Sequence, residues 1–182
     1  MKLHIEKKTI LYFILLILGA SGFLFSVFVP EPVGFYLTIV VLSAVGFCIC
    51  LNIFDTKIKG KQLVCPTGSD CNAVVNSRYS IFLGISLEYW GMAYFVIISL
   101  SYLGLSLARE MFNLPVLGFV VILSVMAGLF SIYLLFIQSF LLKKWCMWCI
   151  LTAFLSLSIF AMSLISIEVV KTLLQDFQII LT

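Results

Sequence analysis

Read for apolar and polar positions, the chain is a series of long apolar runs divided by short polar joints. Five runs carry no internal charge: Ile10–Val29, Val33–Phe54, Tyr89–Leu107, Pro115–Leu142 and Cys146–Ile167. Each is long enough to cross a hydrocarbon layer of about 30 Å, which needs roughly 20 apolar residues in a helix. The runs are continuously apolar rather than alternating, so they predict helices and not the strands of a membrane barrel. The joints are short, with one exception. "PEP" (30–32) reads as a tight hairpin. "AREMFNL" (108–114) is a short link, and Pro115 suits the first turn of the helix that follows. "KKW" (143–145) is shorter again. The exception runs from Asp55 to Glu88, 34 residues. A loop of that length in a compact protein usually has a function or is disordered, and this one is too apolar for disorder.

Within that loop, Pro66, Thr67 and Gly68 predict a turn. Ser69 or Asp70 is placed to cap a short helix beginning near Cys71. "YSIFLGISLEYW" (79–90) reads as an amphipathic stretch lying along the membrane surface before the next helix enters.

Composition agrees. Of 182 residues, 63% are hydrophobic and 10% charged, more apolar surface than a water-soluble domain of this size can hide. The fold class expected is an all-α integral membrane protein. The first run follows a basic start, as a signal peptide does, but it is too long for one and no small-x-small cleavage site follows. It is read as an extra N-terminal transmembrane helix. The net charge of +3 sits at membrane boundaries, and no basic stripe for nucleic acid, phosphate-binding glycine loop or internal repeat is present. No ionisable side chain lies near the middle of a run, which argues against an ion channel or proton-coupled transporter.

Attention therefore moves to six cysteines: Cys48, Cys50, Cys65, Cys71, Cys146 and Cys149. Cys48 and Cys50, inside a run, read as small buried hydrophobes. The other four share one side of the membrane if the two runs between them both cross. Cys146 and Cys149 are three residues apart at a helix start, where unpaired N–H groups and the helix dipole favour a thiolate. Lys143 and Lys144 add positive charge. Thiolates attack disulfides, so a loop pair facing an embedded pair suits the passing of a disulfide between them. A four-thiolate zinc site is the competing reading, but the Cys65–Cys71 spacing is loose for one, and no metal is assigned. A two-electron acceptor is required; a lipid-soluble quinone fits, with Trp145 and Trp148 either walling a flat ring or anchoring at the interface.

"CPTGSDCNAVVNSRY", "FLGISLEYWG" and "WCMWC" opening the last run resemble the vitamin K epoxide reductase family, over about residues 33–168. The likeness is greatest to bacterial members without a fused thioredoxin domain. The resemblance implies a four-helix transmembrane bundle around a quinone, ubiquinone or menaquinone. It divides the chain into an extra helix (1–32), a catalytic core (33–168) with redox loop 55–88, and a tail (169–182). It implies that Cys146 and Cys149 are the active-site pair, with Cys149 nearest the quinone. Cys65 and Cys71 become a shuttle pair that receives electrons from a thioredoxin-like, DsbA-like partner, first at Cys65. Cys71 then attacks Cys146. Ser77 matches a serine that the family keeps near the site. Two departures favour plain quinone reduction over epoxide reduction: Ala153 stands where animal members have tyrosine, and no quinone-contacting asparagine appears near Leu87 and Glu88.

Sidedness draws opposite answers. If all five runs cross, Lys2, Lys7, Lys8, Lys57, Lys59, Lys61, Arg78, Lys143 and Lys144 share the side of the thiols, against Arg109 and Lys171. The positive-inside rule puts that side in the cytoplasm. The resemblance puts it outside, where disulfides persist, and this is the reading adopted. The alternative to an enzyme is a non-catalytic membrane protein whose cysteines form a metal or redox sensor.

Overall fold

A computed structural model describes residues 32–63, 65, 70–107 and 114–181. The expected N-terminal span, the Pro66–Thr67–Gly68 turn, Ser69 and most of the 108–114 link lie outside these. Apart from turns and short connections, the described chain is helical, with one small hairpin. Its elements are α1 (Pro32–Ile58), α2 (Cys71–Val75), a 3-10 turn (Arg78–Ser80), strands β1 (Ile81–Phe82) and β2 (Ile85–Ser86), α3 (Leu87–Leu107), α4 (Leu114–Phe136), a π-helical turn (Ile137–Leu142) and α5 (Met147–Leu181). Four helical stretches are long and apolar enough to cross a membrane: Gly34–Ile58, Leu87–Leu107, Gly118–Leu142 and Met147–Leu164. They coincide with the last four runs of the sequence. The helix from Met147 continues to Leu181, so the expected tail is a helical extension of α5.

The chain forms two compact units. In the first, α1 and α3 pack antiparallel. Lys57 meets Glu88, Phe54 meets Tyr89, Gly46 meets Phe95 and Tyr36 meets Tyr102, a regular reversal along the pair. The seam is heptad-like. Ile39, Leu42, Ile49 and Ile53 of α1 are buried, as are Phe95, Ile98, Tyr102 and Leu105 of α3. Alternating steps of three and four residues keep one stripe of each helix toward the other. The absence of a side chain at Gly46 admits the Phe95 ring: a Cβ there would lie 2.4 Å from Phe95 Cζ. Small residues at close crossings are the usual device where lipid supplies no hydrophobic drive between helices. The outward faces stay apolar, with Leu37, Val41, Leu51, Leu100 and Leu103 exposed.

The surface stretch expected over 79–90 is instead a 3-10 turn followed by a two-residue hairpin. Leu83 (φ 54°) and Gly84 (φ 80°) take left-handed conformations, and β1 pairs antiparallel with β2 through Ile81–Ser86 and Phe82–Ile85. Two consecutive positive φ values match the right-handed strand twist, and glycine makes the second easy. Trp90 donates its indole N–H to the carbonyl of Phe82 (3.3 Å) and ties the hairpin to α3.

The second unit contains α2, the 3-10 turn, α4, the π turn and α5. Gly128 of α4 lies against Phe160 and Leu157 of α5. The chain reverses between α4 and α5 through Lys143, held in the left-handed region (φ 50°).

Candidate functional site

The second unit carries both cysteine pairs. Cys65 and Cys71 are joined as a disulfide, with Cα atoms 6.0 Å apart. Cys71 opens α2 and is buried. Of the two caps the sequence offered, Asp70 is the one in place: its Oδ1 accepts from the N–H of Ala73 (3.2 Å). Its other oxygen, Oδ2, accepts from Lys144 Nζ at 3.3 Å. One carboxylate therefore caps the helix that begins at Cys71 and fastens it to the strip that leads into Cys146. The basic charge expected to favour the thiols is thus partly committed: Lys144 is paired with Asp70.

Cys146 stands immediately before α5, in the N-cap position. Its sulfur accepts from the backbone N–H of Cys149 (3.4 Å) and from the Cys149 thiol, Sγ to Sγ 2.8 Å. The first turn of a helix leaves its N–H groups without intrahelical acceptors, and a cap usually fills one with a side-chain oxygen. Here sulfur takes the role. Two donors converge on Cys146 Sγ, which favours negative charge there. Cys146 is fully buried and Cys149 half-buried. Thr152 Oγ1 donates to the carbonyl of Cys149 (3.0 Å).

Gln138 organises the approach and was not singled out from the sequence. Its backbone carbonyl accepts from the N–H groups of Lys143 and Lys144. Its side-chain Oε1 accepts from the N–H of Cys146 at 3.2 Å. It is 4% exposed. The residue thus closes α4 and positions the entry of α5, and the π turn in which it lies is the irregularity that places its side chain at Cys146. The available signal was its chemistry: it is the single amide in the run 115–142, and polar groups at membrane depth usually have a purpose.

The remaining expected residues divide. Trp148 is buried, whereas Trp145 is half exposed. Ser77 lies just beyond α2; its carbonyl accepts from Ser80, while its own Oγ is buried with no hydrogen-bond partner among the described residues. Cys50 is buried against Gly91, as expected of a small hydrophobe, but Cys48 faces outward from α1. No group of three or more metal-ligating side chains occurs among the described residues.

The arrangement is suited to thiol–disulfide exchange, because it holds a disulfide and an activated dithiol in one compact unit with an ion pair between their supports. No characterised protein matches the chain in sequence. The pattern of the vitamin K epoxide reductase family matches residues 37–164. That match runs from within α1 to the end of the membrane-length part of α5 and takes in both cysteine pairs, and by it the chain belongs to the vitamin K epoxide reductase family, as a multi-pass membrane protein of thiol-oxidoreductase type.

Proposed function

We propose that the protein is a thiol:quinone oxidoreductase that moves electrons from a reduced thioredoxin-like, DsbA-like partner through Cys65–Cys71 and Cys146–Cys149 to ubiquinone or menaquinone. The observation that carries this reading is the Asp70–Lys144 ion pair, which ties the support of the loop disulfide to the doorway of the Cys-x-x-Cys. The catalytic core is residues 33–168.

A thiolate of the partner attacks Cys65 Sγ, and the partner's second thiol resolves the mixed disulfide. The partner leaves oxidised, with Cys65 and Cys71 reduced. Cys71 then attacks Cys146 Sγ of an oxidised Cys146–Cys149 pair. A Cys71–Cys146 bond forms, and Cys149 departs as thiolate. Cys65 attacks Cys71, restoring the loop disulfide and releasing Cys146 as the thiolate that Cys149 stabilises. Reoxidation of this dithiol releases two electrons and two protons, the number that converts a quinone to its quinol. Cys149, the more exposed of the two, is the donor to the quinone. Ser77, Trp145 and Trp148 are its neighbours in the binding region. The thiols face the extracytoplasmic side, where oxidised partners accumulate.

The test is quinone reduction by purified protein supplied with a reduced thioredoxin-like protein. Cys146→Ser should reduce turnover to background. Retained quinone reduction in Cys149→Ser removes the role given to that residue, and bound zinc with unreactive thiols favours the sensor reading instead. Alkaline phosphatase fusions at residues 70 and 110 test sidedness: activity only at 110 defeats the outward assignment.

A further inference from the structure

Most of the large apolar side chains left uncovered in this protein lie on membrane-length helices, where lipid accounts for them. The hairpin of β1 and β2 is a separate case. It precedes α3, yet Ile81, Phe82, Leu83 and Ile85 are all exposed. Neighbours along a strand point to opposite sides, so both faces of this ribbon are apolar. No charged residue occurs between Arg78 and Glu88.

Leu83, at the tip, is the sharpest anomaly. With Gly84 it forms a two-residue turn in which both φ values are positive, 54° and 80°. Such a turn favours Asn-Gly, because a bulky side chain is crowded in the left-handed region and asparagine, aspartate and glycine visit it far more readily. Leu83 is also 78% exposed. Leucine here serves neither the turn nor the packing of the protein, and a tip in water would be better served by asparagine on both counts.

The placement of the hairpin supplies the missing environment. Trp90 donates to the carbonyl of Phe82 at 3.3 Å, and the two rings meet edge-on with centroids 6.4 Å apart. Phe82 is therefore held beside the first turn of α3, and the hairpin is folded back to the depth at which a membrane-length helix begins. Trp90 also starts an outward stripe: Ala93, Ile97 and Leu100 follow at steps of four and three residues and are all exposed. The hairpin thus hangs on a lipid-facing side of α3. Tyr89 and Trp90, both exposed beside it, are residue types that collect at the membrane–water boundary.

We infer that the hairpin is a membrane-interface anchor, with Leu83 reaching the boundary between phospholipid headgroups and acyl chains. The unpaired edges of so short a ribbon hold it at the level where headgroups and water still reach the backbone. The hairpin ends the segment that carries Cys65 and Cys71, so its anchoring limits how far that segment can rise from the bilayer. The inference requires that α3 cross the membrane and is independent of the thiol:quinone reading.

Liposomes of phosphatidylcholine brominated at a shallow position in the acyl chains, which quenches tryptophan on contact, test the assignment. Leu83→Trp should add emission that the brominated lipid quenches and the unbrominated lipid does not. Lys61→Trp, at an exposed position in a polar stretch, should add emission that the same lipid leaves unquenched. Leu83→Asn gives an independent reading through thermal unfolding in liposomes. With the tip in lipid, this variant should unfold at a lower temperature than the wild type, having lost its apolar contact. A tip in water requires the reverse, because asparagine suits the left-handed turn. Emission at position 83 no more quenched than at position 61, or a raised unfolding temperature in Leu83→Asn, overturns the inference. A protein that gives the expected quenching and unfolding shift but reduces no quinone supports the anchor and overturns the functional reading alone.

Discussion

Cysteine appears in both compact units, and its two settings show how position decides chemistry. In the α1–α3 unit, Cys50 lies well inside a helix. Its sulfur is pressed against the backbone at Gly91, where an added Cβ would come within 2.9 Å. All N–H groups nearby serve the helix itself, so the thiol acts as a packing atom. In the unit built from α2, α4 and α5, Cys146 stands one residue before a helix, and the unspent N–H of Cys149 reaches its sulfur. The side chain is the same; what differs is whether the local backbone has donors left over. Polar groups follow the same division. The Lys57–Glu88 pair of the first unit is largely buried and joins two helices, whereas the Lys144–Asp70 pair of the second is exposed and holds one redox segment beside another.

If the first unit is a packed support and the second carries the exchange chemistry, substitutions should separate along that line. The largest effect on stability is expected from Lys57→Ala. It leaves Glu88, to which Ser86 still donates, as a buried carboxylate without its cation. Breaking such a pair costs about 3 kcal/mol, read as a lowered unfolding midpoint in detergent, with disulfide exchange unchanged in the protein that remains folded. Gly46→Ala comes next, at about 2 kcal/mol, since the new methyl overlaps the Phe95 ring and overpacking carries that order of penalty. Combining it with Phe95→Leu should recover part of the loss, and full additivity would show that the two residues are not in contact.

Changes in the second unit should do the reverse. Gln138→Leu deprives the buried N–H of Cys146 of its acceptor, a loss of about 1.5 kcal/mol. It should also slow alkylation of Cys146, because the turn that places this residue at the helix start is loosened. Gln138→Glu keeps an acceptor and should retain much of the rate. An alkylation rate in Gln138→Leu equal to wild type would show that the cap geometry alone positions the thiol. Lys144→Ala should shift stability least, by about 0.5 kcal/mol, as expected of an exposed pair. Its measurable consequence is a slower passage of the disulfide from the loop to Cys146–Cys149. If Lys144→Ala slows nothing, the ion pair is ornamental and the loop is held by other contacts.

Much of this was legible in the chain. The four membrane-length helices follow from uninterrupted apolar runs, and a cap at Ser69 or Asp70 follows from the polar residues just before Cys71, with Asp70 seen to fill it only in the structure. The Cys-x-x-Cys at a helix start was readable because a basic joint separates two runs at that point. Less legible were the hairpin at 81–86 and the turn at Gln138. Leu83 takes a positive φ without the residue type that advertises it. The π turn arises from how α4 must end to reach Cys146, which no local periodicity records.

The order of apolar runs, joints and cysteines was thus settled by local rules, because helix length, solvent preference and capping are properties of neighbouring residues. The partner of Lys144, the burial of Glu88, the outward turn of Cys48 and the carbonyl that Gln138 presents to Cys146 were settled by the tertiary structure. Those depend on which side chains are brought together across tens of residues, and only packing decides whether a polar group meets a partner or is left to find one in a ligand.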